Sequence, residues 1–114
     1  MISLGGLLLG AATIGLRAAT QPEEQVIKIL ARRFTYTPNK LTLKKGVPVV
    51  LELTSADVLM GFNAPDFDVR ADIIPGKTAR VRLVPDKVGT FTFLCDIFCG
   101  SGHETMNGTI TVVA

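Results

Sequence analysis

Apolar and polar residues alternate with a period of two along most of the chain after Pro22, and Gly and Pro residues separate the short alternating runs. This alternation is typical of strands that turn one face toward a hydrophobic core and the other toward solvent. The predicted inward-facing residues are Val47, Val49, Leu51, Leu53, Val81, Leu83, Phe91, Phe93, Cys95, Ile110 and Val112.

Turn-forming pairs recur between these runs at a spacing typical of β-sandwiches. No stretch after residue 21 has the periodicity of an amphipathic helix. The pattern therefore predicts an all-β fold, an antiparallel two-sheet sandwich that forms one domain over residues 21–114. The predicted turns are Pro38-Asn39, Lys45-Gly46, Pro75-Gly76, the segment 87–89 and Asn107-Gly108.

Residues 1–20 have a different character from the rest of the chain. Residues 1–16 carry no charge, and small residues follow at Ala18 and Ala19. An apolar run followed by small residues favours a cleaved secretory signal peptide, although no positive residue precedes the run. A retained N-terminal membrane anchor is the alternative, because the stretch approaches the ~20 apolar residues of a membrane span. Either interpretation places the domain outside the cytoplasm, in the periplasm or an equivalent compartment.

The charge and composition exclude several function classes. The 114 residues carry a formal net charge of only +2, with the basic residues dispersed, so the basic patch of a nucleic-acid binder is missing. No carboxylate pair, serine motif or phosphate-binding loop predicts hydrolytic or phosphoryl-transfer chemistry, so we predict no catalytic residues. Four acidic residues form either a docking surface or solvated turns, and we favour the turns. They are Asp57, Asp66, Asp68 and Asp72.

Both cysteines, the single histidine and one methionine lie within residues 95–106. Cys95, Cys99, His103 and Met106 together supply thiolate, imidazole and thioether donors, a soft set that suits copper, above all Cu(I). A structural zinc site prefers four Cys or His donors, and only three are available. A disulfide between two cysteines four residues apart is the purely structural alternative. The joint spacing favours a metal site.

The loop pattern CxxxCGxGHxxM at residues 95–106 resembles the binding loop of the dinuclear CuA centre in cytochrome c oxidase subunit II and nitrous oxide reductase. The segments FTYTP at 34–38, KKG at 44–46, DVLMGF at 57–62 and PGK at 75–77 are also similar to that cupredoxin family, so the resemblance extends over nearly all of residues 26–114. It implies a Greek-key sandwich in which Cys95 and Cys99 bridge two coppers. It also implies that His103 binds one copper, Met106 binds the other weakly, and the Ile97 carbonyl completes the set.

One position departs from that family. Its pattern has a second histidine where this chain has Met60, and His103 is the only histidine present. Met60 is either a thioether ligand or a side chain that fills the space of an imidazole. Three outcomes stay open: a modified two-copper centre with a raised potential, a one-copper site, and a Cu(I) carrier.

The resemblance implies an electron-transfer protein that exchanges electrons with a c-type cytochrome or a membrane oxidase. We expect a copper-binding module and not an intact oxidase or reductase, with contact to a membrane only through the N-terminal segment. A Cu(I) chaperone or store for oxidase assembly is the alternative, which a thioether at Met60 favours. A thiol-disulfide protein ranks third, because the Cys-x3-Cys pair of such proteins opens a helix, and here glycines follow it.

Overall fold

A computed structural model describes residues 24–114, which form nine β-strands and two short 3-10 turns. The turns are Pro65–Phe67 and His103–Thr105. The strands are β1 (Gln25–Arg32), β2 (Thr35–Thr37), β3 (Lys40–Lys44), β4 (Val49–Ser55), β5 (Met60–Ala64), β6 (Val69–Ile73), β7 (Ala79–Leu83), β8 (Gly89–Leu94) and β9 (Asn107–Val113). The predicted all-β class is confirmed.

The strands form two sheets that pack as a Greek-key sandwich. One sheet has the order β3-β9-β8-β5-β6, and the other has the order β2-β1-β4-β7. Among the described residues, five of the seven strand pairings are antiparallel, as predicted, but two neighbouring pairs, β1 with β4 and β3 with β9, run parallel. A period of two reports which face of a strand is buried and carries no information on pairing direction, which the long crossover connections decide here.

One hydrophobic core lies between the two sheets. Val49, Leu51 and Leu53 of β4 are fully buried, and Phe93, Ile110 and Val112 close the core from the opposite sheet. Polar neighbours such as Glu52 and Arg80 pair with each other outside the core, as the alternation predicts.

Two of the predicted core positions lie at the margin of the core. Val47 precedes the first residue of β4 and is half-buried, and Phe91 packs against Phe67 with its ring partly exposed. The structure corrects Val47, because the chain reaches the sheet only at Val49, whereas Phe91 does pack against the core, beside Phe67 of the 3-10 turn.

Most of the predicted turns occur where the sequence places them, including Lys45-Gly46 and Pro75-Gly76, whose glycines have φ of 82° and 85°. The Asn107-Gly108 pair starts the last strand, as its place after the donor loop predicts, but it forms no turn of its own, because both residues belong to β9 and pair with Leu94 and Phe93. A side chain at Gly108 would overlap the Phe93 ring and the Asn39 carbonyl, so this glycine serves close packing and not reversal of the chain.

The N-terminal segment, for which a signal peptide or anchor is predicted, lies outside the described residues. Within residues 24–114, no helix has the length and apolar character needed to cross a membrane.

Candidate metal centre

The candidate donors lie on one loop whose two ends are fixed by neighbouring strands. Cys95 directly follows β8, and Met106 directly precedes β9, its antiparallel partner. The Cys95 amide donates a hydrogen bond of 3.1 Å to the Met106 carbonyl, which continues the ladder across the base of the loop. The first and last donors are therefore held side by side by the sheet.

Two glycines allow the loop to turn back over the sheet. Gly100 and Gly102 have φ of 134° and 117°, which residues with a side chain rarely adopt. The Phe34 ring packs against both, and a Cβ on either glycine would crowd that ring. The His103 amide then donates to the Gly100 carbonyl at 3.1 Å and begins the 3-10 turn that presents the imidazole.

This loop brings the predicted donors together. The ligand atoms of Cys95, Cys99 and His103 all lie within 4.8 Å of one another. Cys99 Sγ lies 3.8 Å from His103 Nδ1 and 4.0 Å from Met106 Sδ. On the other side of the cluster, Cys95 Sγ lies 3.2 Å from the Ile97 carbonyl oxygen. Five of the six predicted ligand residues thus form one connected group.

The cluster is buried at one end of the sandwich. Cys95 is 3% exposed and Cys99 is 8% exposed, and Met106 is also buried. His103 is only half-buried, and its ring lies 5.8 Å from the ring of Phe98, which is 75% exposed. The sulfur donors are therefore shielded from water, and the imidazole is the donor that extends toward the surface.

Both cysteines are free thiols, so the disulfide alternative is not the state of this structure. Burial raises the pKa of the Cys99 thiol, and the neighbouring Cys95 raises it further because two thiolates repel each other. Two adjacent anions in a buried place are stable only when a cation compensates their charge. The thiol pair is thus suited to a metal ion that displaces both protons.

Met60, the sixth predicted ligand, is the first residue of β5 and is fully buried. Strand β5 is antiparallel to β8, with Asn63 opposite Leu94. Extension of this register places Met60 opposite Ile97, beside the loop. Met60 therefore lies at the end of β5 that borders the loop, outside the connected group of five donors.

Tyr36 packs beside the donor cluster and holds the strand that borders it. The sequence alone did not indicate this role. Its hydroxyl donates a buried hydrogen bond of 2.7 Å to the carbonyl of Gly61, the residue after Met60. Its ring packs edge-on against Phe93 at a centroid distance of 5.0 Å. Burial raises the pKa of Tyr36, and the nearby Cys95 thiol adds to that rise. A buried tyrosine with one polar partner fixes the start of β5 next to the donors.

The predicted acidic group does not form one surface patch. Asp57 accepts hydrogen bonds from the backbone amides of Arg33 and Val58, which lowers the pKa of its carboxyl group. Asp72 pairs with Arg70 at 2.6 Å. Asp66 lies in a 3-10 turn that Asp68 ends, beside a cleft of about 410 Å³ lined by residues 66–69, 82–84 and 86. None of the predicted ligands lines that cleft.

The donors match the chemistry of copper better than that of other metals. Two thiols, an imidazole and a thioether form a soft set, and the oxygen donor is a single carbonyl. Hard cations need several oxygen ligands, which this cluster lacks among the described residues. Copper therefore fits the residues present.

Comparisons with known proteins agree with this geometry. The sequence profile of a family described as a cupredoxin-like domain matches residues 5–112. A cytochrome c oxidase subunit 2 from Thermus thermophilus is 33% identical over 93 residues, which cover 82% of this chain and 69% of that protein. An alternative cytochrome c oxidase subunit 2 from Bradyrhizobium diazoefficiens is 38% identical over 74 residues, 65% of this chain and 27% of that protein.

The fold has solved counterparts. The crystal structure of the periplasmic domain of subunit II of cytochrome oxidase from Bradyrhizobium japonicum superimposes with a TM-score of 0.73. The two chains are 23% identical, and the match covers 78% of this chain and 83% of that one. At this level of identity the likeness concerns the fold alone.

Proposed function

This chain belongs to the cupredoxin-like domain family and is homologous to cytochrome c oxidase subunit 2, and we propose that it is an extracytoplasmic copper protein that transfers electrons. The observation that carries this proposal is the convergence of the Cys95, Cys99 and His103 ligand atoms within 4.8 Å in a buried loop. Copper, when bound, supplies one-electron chemistry. The chain supplies the donors, their spacing and their protection from water.

Each donor residue has a proposed task that follows from its place. Cys95 and Cys99 would both serve as bridging thiolates between two copper ions, because they are adjacent, free and buried. His103 would bind on the surface side, and Met106, at 4.0 Å from Cys99 Sγ, would be a weak thioether ligand. The Ile97 carbonyl, already close to Cys95 Sγ, is the oxygen donor.

Met60 is the proposed sixth ligand. Its buried position opposite Ile97 is compatible with a thioether that reaches the same cluster. A thioether stabilises Cu(I) over Cu(II) more than an imidazole does. We therefore expect a higher reduction potential than a site with a second imidazole would have.

Electron transfer needs donors whose positions stay fixed while the charge of the metal changes. The loop is held at its base by the β8–β9 ladder, and its sulfur atoms are buried. The half-buried His103 and the exposed Phe98 ring beside it are the proposed route from the cluster to a partner. A c-type cytochrome and a membrane oxidase are the proposed partners.

A Cu(I) carrier for oxidase assembly is the second candidate, and Met60 is the observation that favours it. If Met60 binds alongside Met106, the donor set is softer than one with a second imidazole in place of Met60. A carrier must release its metal to an acceptor, whereas an electron carrier must retain it through many turnovers. Retention and redox cycling therefore separate the two functions.

Mixing the copper-loaded chain in its oxidised form with a reduced soluble c-type cytochrome tests the proposal. We expect the cytochrome to be oxidised with a second-order rate constant of about 10⁵–10⁷ M⁻¹s⁻¹, the usual range for docking of two specific protein surfaces. Stopped-flow absorbance of the haem measures this rate, with the zinc-loaded chain as the redox-silent control. No oxidation, together with transfer of Cu(I) to a thiol-rich acceptor, would instead establish the carrier.

A further inference from the structure

Asp96 lies between Cys95 and Ile97 in the donor loop, and its side chain makes a two-point ion pair with Arg70 of β6. Arg70 Nε donates to Asp96 Oδ2 at 2.6 Å, and Arg70 Nη2 donates to Asp96 Oδ1 at 2.9 Å. The Asp96 side chain is 20% exposed, against 42% for Arg70. Two parallel charge-assisted hydrogen bonds fix both the distance and the orientation of the carboxylate, which a single bond does not.

A second carboxylate fixes the guanidinium itself. Arg70 Nη1 donates to Asp72 Oδ1 at 2.6 Å, from the same face of β6. These hydrogen bonds, first those to Asp96 and then that to Asp72, raise the pKa of the Arg70 guanidinium. All three side-chain nitrogen atoms of Arg70 therefore bind carboxylates. The contact with Asp72 fixes the guanidinium relative to β6, independently of its contact with the loop.

Gly61 of β5 provides the space for this ion pair. A Cβ at Gly61 would overlap the Asp96 carboxylate and crowd Arg70 Nη2. On its other side, the Gly61 carbonyl accepts the hydrogen bond from the Tyr36 hydroxyl. Asp96 thus packs directly against the backbone of β5 at Gly61, and Arg70 contacts Asp96 from the edge strand β6.

We propose that Arg70 is a positioning residue for the donor loop: its grip on Asp96 fixes the backbone between Cys95 and Ile97, and so directs the Ile97 carbonyl at Cys95 Sγ. This inference rests on the proposed function, because it concerns the arrangement of the copper donors. Arg70 touches no donor atom and acts only through Asp96. The two-point geometry is the essential feature, so the positive charge alone is insufficient.

Alkylation of the reduced, metal-free chain tests this proposal without any metal. Two variants should both loosen the loop. Arg70→Gln removes the positive charge and the two-point hydrogen bonding to Asp96, and Arg70→Lys keeps the charge but loses the two-point hydrogen bonding. We expect iodoacetamide to modify Cys95 about threefold to tenfold faster in both, as the loss of an ion pair of about 1 kcal/mol would produce. Mass spectrometry assigns the modified cysteine, and circular dichroism confirms that the variants fold.

Arg80→Gln is the matched control, because Arg80 pairs with Glu52 at 3.1 Å on the opposite sheet, away from the donor loop. It removes the same charge and should leave the alkylation rate at the value of the unmodified chain. Asp96→Asn should reproduce the effect of Arg70→Gln, and the double variant should add nothing further, since the two residues act through one contact.

The metal-loaded chain gives a second readout. Both Arg70 variants should release Cu(I) to a chelator about threefold to tenfold faster than the unmodified chain, by the same loss of fixation. Wild-type alkylation rates in Arg70→Gln would overturn the proposal. An unchanged alkylation rate of Cys95 in Arg70→Lys, with a faster rate in Arg70→Gln, would show that the positive charge suffices and would contradict the requirement for two-point hydrogen bonding. If the unmodified chain bound no copper, the proposed function would fail, whereas the alkylation test would still decide the role of Arg70 in the loop.

Discussion

Cys99→Ser should lose the proposed two-copper form of the protein. Cys99 Sγ is the atom that connects the cluster, since it lies within reach of both His103 Nδ1 and Met106 Sδ. A serine hydroxyl is harder than a thiol and stays protonated at neutral pH, so it cannot replace a thiolate bridge between two soft ions. We expect the copper content to fall from two ions per chain to one or fewer, measured by metal analysis after removal of loosely bound copper.

Ser101→Ala is the matched control for this substitution. Ser101 lies in the same loop, is exposed and contributes none of the proposed donors. Its variant should keep the full copper content and the spectrum of the unmodified chain. Retention of two ions by Cys99→Ser, with Ser101→Ala unchanged, would contradict the proposed bridging role of Cys99.

Met60→His should lower the reduction potential of the copper-loaded chain. If Met60 is a ligand, the substitution replaces a thioether with an imidazole, which stabilises Cu(II) better. We expect a fall of at least about 60 mV, which corresponds to a tenfold change in the one-electron equilibrium. Spectroelectrochemical titration measures the potential, and electron spin resonance reports whether the unpaired electron becomes shared over two coppers.

Met60→Leu separates a ligand from a space-filling side chain. Leucine has nearly the volume of methionine and no donor atom, so the core should tolerate it at a cost of less than about 1.5 kcal/mol. If Met60 binds copper, this variant should change the spectrum or the metal content. An unchanged spectrum and potential in both Met60 variants would establish that Met60 only fills space.

The strand pattern of the sandwich could be predicted because alternation is a local property. The buried face of β4 can be predicted from the alternation of Val49, Leu51 and Leu53 alone, without information on any other segment. The parallel pairing of β1 with β4 could not be read in this way, since it depends on the path of the chain between them. The turn signal of Asn107-Gly108 failed for the same reason, because Gly108 is required by its close approach to Phe93 and Asn39, which are distant along the chain.

The donor loop was predictable for a similar reason. Cys95, Cys99, His103 and Met106 lie within one short segment between two strands, so their spacing along the chain nearly fixes their spacing in space. The supporting residues carry no such signal. Arg70 is 26 residues from Asp96, and Tyr36 is 25 residues from Gly61, so only the folded sheet reveals these contacts.

Anaerobic titration of the freshly reduced chain with Cu(I) is the most direct test of the central claim, the binding of copper by Cys95, Cys99 and His103. Copper uptake is measured from the decrease in free thiols and from the absorption of the copper–thiolate bonds. We predict tight uptake of Cu(I) that consumes both thiols and, after one-electron oxidation with ferricyanide, an electron spin resonance signal in which one unpaired electron is shared by two coppers. Both thiols remaining free after an excess of copper has been added would contradict the claim.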